Sequence, residues 1–319
     1  MTDAGFQLAA DHGSPLYVHR WPPPADAPRG VLLIVHGMAE HGGRYARFAA
    51  AANADGWAVV APDLPGHGRS ATAAIRGHFA DRDGWAVALA AVHVVRRYVA
   101  GRHPDVPLVL LGHSMGSFIA QHYLVEHGAG LAGAILSATS GSLGPLRRLG
   151  LLLMKAEILR YGPRHPSARA EALSFKTFNK AFEPARTAFD WLSRDPAEVD
   201  RYIADPACGF RCSATLWADL FAAGATLRDP EWLVKLPKRL PILMICGSRD
   251  PVSRGSKGPE LLARTYRKAG LSGVSVRRYD EGRHELLNDI CRDEVTADLL
   301  AWLRERRRGA WPNSAARGA

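Results

Sequence analysis

The stretch VPLVLLGHSMGSFIAQHYLVEH, residues 106–127, carries an apolar run, a glycine-flanked serine and a helix-like segment in immediate succession. The run Val106-Pro107-Leu108-Val109-Leu110-Leu111 reads as a buried strand, and Ser117 to His127 reads as a helix. Between them GHSMG, residues 112–116, must turn sharply, and glycine at both ends permits this with little steric crowding. The apical Ser114 is then held on a strained turn with its hydroxyl presented beyond the strand end. Helix N-terminal amides lie beside it, so the turn places a nucleophile next to unpaired backbone donors, as acyl transfer requires.

Working outward, further apolar runs alternate with helical stretches. Val31 to Val35, Trp57 to Ala61, Ala132 to Leu136, Ile242 to Cys246 and Val274 to Tyr279 suit a parallel sheet covered on both faces. Leu16 to Trp21 alternates and reads as an edge strand paired with Phe6 to Ala10. Helices are expected over Tyr45 to Asp55, Gly84 to Arg102, Pro259 to Ala269 and Cys291 to Arg308. This is an α/β class chain with a mostly parallel, doubly wound sheet. Between about Gly141 and Pro237 the rhythm breaks, because that segment is aromatic and rich in proline and lacks a clear strand. The expected organisation is a core from 1–140 and 238–310, an inserted helical cap over 141–237 and a disordered tail at 311–319.

Composition bounds the rest. The 319 residues are 47% hydrophobic and 23% charged, which describes a globular chain with an ample core. No apolar run reaches the roughly 18 residues a membrane-spanning helix needs, and no secretory signal is visible, so a cytoplasmic protein is expected. Four cysteines, Cys208, Cys212, Cys246 and Cys291, read as free thiols; no histidine pattern completes a zinc set, so no metal is expected. The net charge of +10 includes +4 from Arg304 to Ala319, which reads as a solvated end. No zinc-finger or aromatic RNA-binding signature accompanies it, so nucleic acid is not an expected partner. Without a phosphate loop or a dinucleotide fingerprint, no cofactor is expected either.

A serine nucleophile needs a base, and the base needs an orienting acid. His284, in YDEGRHELLND, follows the last strand run, and Asp250, in ICGSRDPVS, follows the run before it. Both therefore belong at the same sheet edge as Ser114, in the order serine, aspartate, histidine that an α/β-hydrolase fold uses. His113 points elsewhere by chain geometry. Asp280, Glu281 and Glu285 lie too close to His284 to orient it and are expected to shape its loop. The two oxyanion donors are expected to be the amides of Met115 and of Met38, the latter in the His36-Gly37-Met38 turn after Val31 to Val35. Asp63, Gly66 and His67 read as loop-fixing residues.

The motifs HGMAEHGGRYARFA at 36–49, PDLPGHGRS at 62–70, GHSMGS at 112–117, GSRDPV at 247–252 and GRHELLND at 282–289 resemble the monoacylglycerol lipase and lysophospholipase branch of the α/β-hydrolases. That branch is also grouped with serine aminopeptidase-like hydrolases. The resemblance runs from about Phe6 to Arg308 and implies Ser114, Asp250 and His284 as triad and Met38 and Met115 as oxyanion donors. It implies a small-molecule lipid ester as substrate. His41, Arg44 and Tyr45 match the family near the pocket, without an assigned role. Peptidase, thioesterase or acyltransferase chemistry on the same triad, or a receptor that retains it, are the alternatives.

In the cap, LRRLGLLLMKAEIL (146–159) is nearly continuous apolar sequence edged by Arg147, Arg148, Lys155 and Arg160. A lid packed wholly on the core is the preferred reading, and transient contact with an anionic membrane surface is the alternative. Either places an apolar pocket beneath it. Phe175, Phe178, Phe182, Trp191 and Trp217 either line that pocket or hold the cap together. Oligomeric state is not legible.

Overall fold

A computed structural model describes residues 3–9, 15–24, 27–144 and 147–306; Ala10, Leu146 and the tail at 311–319 lie outside them. Eight strands form one sheet: β1 (Phe6–Leu8), β2 (Leu16–Trp21), β3 (Gly30–Val35), β4 (Trp57–Pro62), β5 (Leu108–His113), β6 (Gly133–Ser137), β7 (Ile242–Gly247) and β8 (Val274–Tyr279). Their order is β1-β2-β4-β3-β5-β6-β7-β8. The β1–β2 and β2–β4 pairs are antiparallel, and β4 to β8 run parallel with β3. The expected doubly wound α/β sheet with an edge hairpin is the observed one.

The apolar runs are continuous because both faces are covered. In β3, Val31, Leu33 and Val35 enter one core while Leu32 and Ile34 enter the other. In β5, Leu108 and Leu110 oppose Val109 and Leu111 in the same way. Helices α1 (Ala46–Ala54) and α11 (Arg292–Arg306) supply Phe48, Val295 and Leu299 to one side. Helices α2 (Gly84–Arg102), α3 (Met115–His127) and α10 (Lys257–Lys268) supply Val92, Phe118 and Leu262 to the other. Each such side chain stabilises the fold by roughly 1.5–3 kcal/mol on burial.

Between β6 and β7 lie α4 (Arg147–Tyr161), α5 (Ala168–Leu173), α6 (Phe175–Asn179), α7 (Pro196–Ala204), α8 (Ala214–Ala223) and α9 (Pro230–Leu233). The one β-bridge in this segment among the described residues joins Pro166 to Ser213. Trp191, Leu192, Tyr202 and Cys208 form its own small core with Phe175, Phe178 and Phe182. Helix α4 departs from the preferred reading: it does not pack wholly on the core, since Leu149, Leu152 and Leu159 are 53%, 64% and 90% exposed. No helix among the described residues is long and apolar enough to cross a membrane.

The parallel strands all end on one edge. Because β3 has β4 on one side and β5 on the other, the connections leaving β3 and β5 part there and open a crevice.

Candidate active site

Ser114 occupies the first turn after β5 with φ 51° and ψ −121°, a left-handed backbone that a serine adopts only under constraint. The constraint is close packing on both sides. A Cβ at Gly112 would lie 2.4 Å from the Gly116 carbonyl, and one at Gly116 would lie 2.2 Å from the Val35 carbonyl. The Ser114 N–H donates to Ser137 O at 3.0 Å, which anchors the turn to β6. Helix α3 begins at Met115, two residues earlier than the sequence suggests, so its first amides lie immediately beside the serine.

The expected base and acid meet it. His284 Nε2 lies 2.9 Å from Ser114 Oγ, and His284 Nδ1 lies 2.8 Å from Asp250 Oδ1. Asp250 also accepts from Ser253 Oγ at 2.6 Å and from the Val252 N–H at 2.9 Å. Asp250 and His284 are 1% and 2% exposed. Burial would push the Asp250 carboxyl up, but the His284 ring and the Ser253 and Val252 donors hold it below the usual range. Burial likewise disfavours a charged His284, yet Asp250, followed by Glu285 and Glu40, raises it above the ordinary imidazole value. His113, whose ring centre is 4.9 Å from that of His284, is pushed down to about 4 by burial and by its neighbour, and stays neutral. The arrangement can therefore move a proton from a serine hydroxyl onto an imidazole that a buried carboxylate supports.

The expected oxyanion donors flank the same point. His36 Nδ1 lies 2.7 Å from the Gly37 carbonyl, while His36 Nε2 accepts from the Leu64 N–H at 2.9 Å. The pinned carbonyl and the Met38 N–H share one trans peptide, so that N–H points the opposite way. Met38 and Ser114 line a small hollow with His284, and both also line the large cavity beside Met115. Among the described residues neither the Met38 nor the Met115 amide has a hydrogen-bond acceptor within the protein.

Other expected residues take supporting places. Asp63 accepts from the Gly42 N–H at 2.8 Å and the Arg69 N–H at 2.7 Å, fixing its loop as expected. Glu285 pairs with Arg44, which the sequence left without a role; Asp280 and Glu281 pair with Arg278 and Arg249 near the surface. Sequence reasoning missed Ser253 and Glu40. The only local signal for Glu40 is its four-residue spacing from Arg44. All four cysteines are free. His19, His41 and Asp63, and His41, Asp205 and Cys208, approach within ligand distance of one another. Their ring nitrogens are already engaged, His19 by Asp3 and Asp63 and His41 by Asp205 and the Gly43 N–H.

A cavity of about 470 Å³ opens from Ser114 beneath α4, α5, α6 and α8. Phe175, Phe178, Trp191 and Trp217 line it, and Arg147 is the one charged residue of its walls among the described residues. Phe182 does not; it stays in the small helical core, with Arg283 over its ring.

A serine, histidine and aspartate joined on the carboxyl edge of a doubly wound sheet define the α/β-hydrolase fold. The chain belongs to the serine aminopeptidase S33 family, whose pattern it matches over residues 26–290. It is 29% identical to a monoacylglycerol lipase of Mycolicibacterium smegmatis over 89% of this chain and 90% of that one. It is 30% identical to a monoglyceride lipase homolog of Monkeypox virus, covering 96% and 99%. A thermostable carboxyl esterase from Bacillus coagulans, solved in complex with glycerol, superposes with a TM-score of 0.88 at 28% identity, covering 96% and 99%. The motif resemblance to the monoacylglycerol lipase-like branch is thus borne out.

Proposed function

We propose that this protein is a serine hydrolase that cleaves carboxylic esters of single-chain lipids through an acyl-enzyme on Ser114. The observation that carries the reading is the Asp250–His284–Ser114 hydrogen-bond chain opening onto a cavity with apolar walls. Its volume of about 470 Å³ lies in the range of pockets that enclose one small ligand. The helices of 141–237 act as the cap over a core formed by the described residues of 1–140 and 238–306; 307–310 lie outside the described residues.

The ester carbonyl oxygen sits toward the Met38 and Met115 amides. Ser114 Oγ bonds to the carbonyl carbon as His284 Nε2 takes its proton, and Asp250 supports the imidazolium. The alcohol leaves with that proton. Water then attacks the acyl-enzyme, giving its proton to His284, which returns it to Ser114 as the fatty acid departs. The exposed Leu149, Leu152 and Leu159, beside Arg148, Lys155 and Arg160, suit α4 to transient contact with a lipid surface from which such a chain enters.

The test compares native protein with Ser114→Ala on p-nitrophenyl esters, monoacylglycerols, lysophospholipids and aminoacyl amides. Monoacylglycerol or lysophospholipid turnover, and fluorophosphonate labelling, should both vanish in the variant. Retained turnover would sink the nucleophile; preference for amides would sink the substrate class. Tight ligand binding with no burst of product would mark a receptor instead.

A further inference from the structure

Beyond Ser114, Asp250 and His284, a second buried charged cluster touches the same loops. Arg44 donates through both terminal nitrogens to the two Glu285 oxygens at 2.6 Å, and its Nη1 also reaches Glu40 Oε2 at 2.8 Å. The other Glu40 oxygen accepts from the Gly37 N–H at 2.5 Å and from the Tyr45 hydroxyl at 3.1 Å. The Glu40, Arg44 and Glu285 side chains are 4%, 10% and 6% exposed. Burial would raise the Glu40 carboxyl, but the Arg44 guanidinium, above all, holds it down to about 2, so it stays charged.

None of these three side chains moves a proton in the reaction above. Nor does stability explain them, since a buried ion pair is often no more stabilising than well-packed apolar residues. What the cluster does is join two loops. At one end Glu40 grips the peptide N–H one residue before Met38; at the other Glu285 adjoins His284. Two carboxylates also share one guanidinium, which leaves net negative charge beside the imidazole. The charged and titratable groups facing His284 are Asp250 after β7, Glu40 after β3, His113 at the end of β5 and Glu285 on its own loop.

We propose that Arg44 and Glu285 are positioning residues: the Glu40–Arg44–Glu285 bridge fixes the His284 loop relative to the Met38 amide, and its surplus negative charge supports the protonated imidazole during attack. This rests on the triad reading above.

Steady-state kinetics on a p-nitrophenyl ester across pH 5–9, with thermal melts, test it. Glu285→Gln should lower kcat about 10- to 100-fold, the scale of a small misplacement, with KM within about twofold. Its acid limb of kcat/KM should move to lower pH, because less negative charge makes His284 a weaker base. Glu285→Asp keeps the charge on a shorter arm, so it should keep the acid limb and lose part of kcat. Arg44→Lys keeps charge without the two-pronged geometry and should lose kcat comparably. The Arg44→Lys/Glu285→Gln double variant should be no worse than the poorer single one. A folded Glu285→Gln with native kcat and acid limb overturns the proposal, as does a lowered melting temperature with native turnover per folded molecule. Should Glu285→Gln not fold, Glu285→Asp and Arg44→Lys decide: native kcat in both overturns it. Turnover that survives Ser114→Ala is a different failure, of the nucleophile, and takes the bridge's role down with it.

Discussion

Replacing Asp250 by Asn removes one charge from the site and almost none of its shape. Asp250 Oδ1 accepts from His284 Nδ1 at 2.8 Å and from the Val252 N–H at 2.9 Å, and Oδ2 accepts from Ser253 Oγ at 2.6 Å and the Ser253 N–H at 3.3 Å. With the amide oxygen at the first position, the bonds from His284 and Val252 survive. The amide nitrogen then faces Ser253, whose hydroxyl can rotate to accept but whose N–H cannot. Charge is therefore the main loss. A carboxylate and an imidazolium centred about 4 Å apart attract by about 4 kcal/mol at an effective dielectric near 20. At about 1.4 kcal/mol per decade this predicts a kcat lower by about three orders of magnitude. Asp250 is the leading influence raising His284, so the acid limb should also move to lower pH. The stranded Ser253 N–H should cost about 1–3 kcal/mol of stability, visible in a thermal melt of a still-folded protein. Stopped-flow and steady-state hydrolysis of a p-nitrophenyl ester measure the first two effects. A kcat loss under tenfold, or an unmoved acid limb, would refute the electrostatic role given to Asp250.

Two other substitutions probe the scaffold. In Gly116→Ala the new Cβ would lie 2.2 Å from Val35 O and 2.4 Å from His36 O, so the start of α3 or the end of β3 must move. Denaturant unfolding should show a loss of about 1–3 kcal/mol, and fluorophosphonate labelling should slow; no change in either would mean that the turn tolerates a side chain. Asp219, on α8, packs against Gly84 at the start of α2, and burial, with Asp83 nearby, raises its carboxyl to about 6. A raised carboxyl binds its proton more readily folded than unfolded, so its destabilising effect grows as pH rises from about 4 through 6. Asp219→Asn should raise the melting temperature at pH 8 and change it little near pH 3.5, below the ordinary carboxyl value; equal melting curves at pH 8 would contradict this.

The parts of this protein that the sequence discloses are those whose surroundings are symmetrical. A strand covered on both faces is apolar along most of its length, so β3 announces itself within one residue of its ends and β5 within two. Ser114 and Asp250 are legible because each follows such a run, whereas His284 follows β8, an edge strand whose Ser275, Arg277 and Arg278 are exposed. The start of α3 is less so: Met115 rather than Ser117 begins it because the strained backbone at Ser114 turns the chain early, and side-chain periodicity does not encode backbone strain. The helices α5, α6 and α9, of six, five and four residues, are too short for a period to show, and α6 is held by Phe175 and Phe178 against Trp191 from a later segment.

Arg44 and Glu285 make the limit plain, being 241 residues apart in the chain. Each is visible locally, Arg44 four residues after Glu40 and Glu285 directly after His284, yet neither names its partner. The partnership follows from the way the sheet brings the connections after β3 and β8 to one edge. Chemistry written at a strand end can be read from one segment, whereas the spacing that tunes it depends on segments whose meeting only the topology determines. The same reasoning applies to the large cavity: Phe118 from α3, Leu153 from α4, Phe175 from α6 and Leu220 from α8 share one wall space, though no short stretch of sequence holds them together. Specificity should accordingly respond to substitutions scattered along 141–237, while the reaction itself fails only at the few loop positions that the strands present.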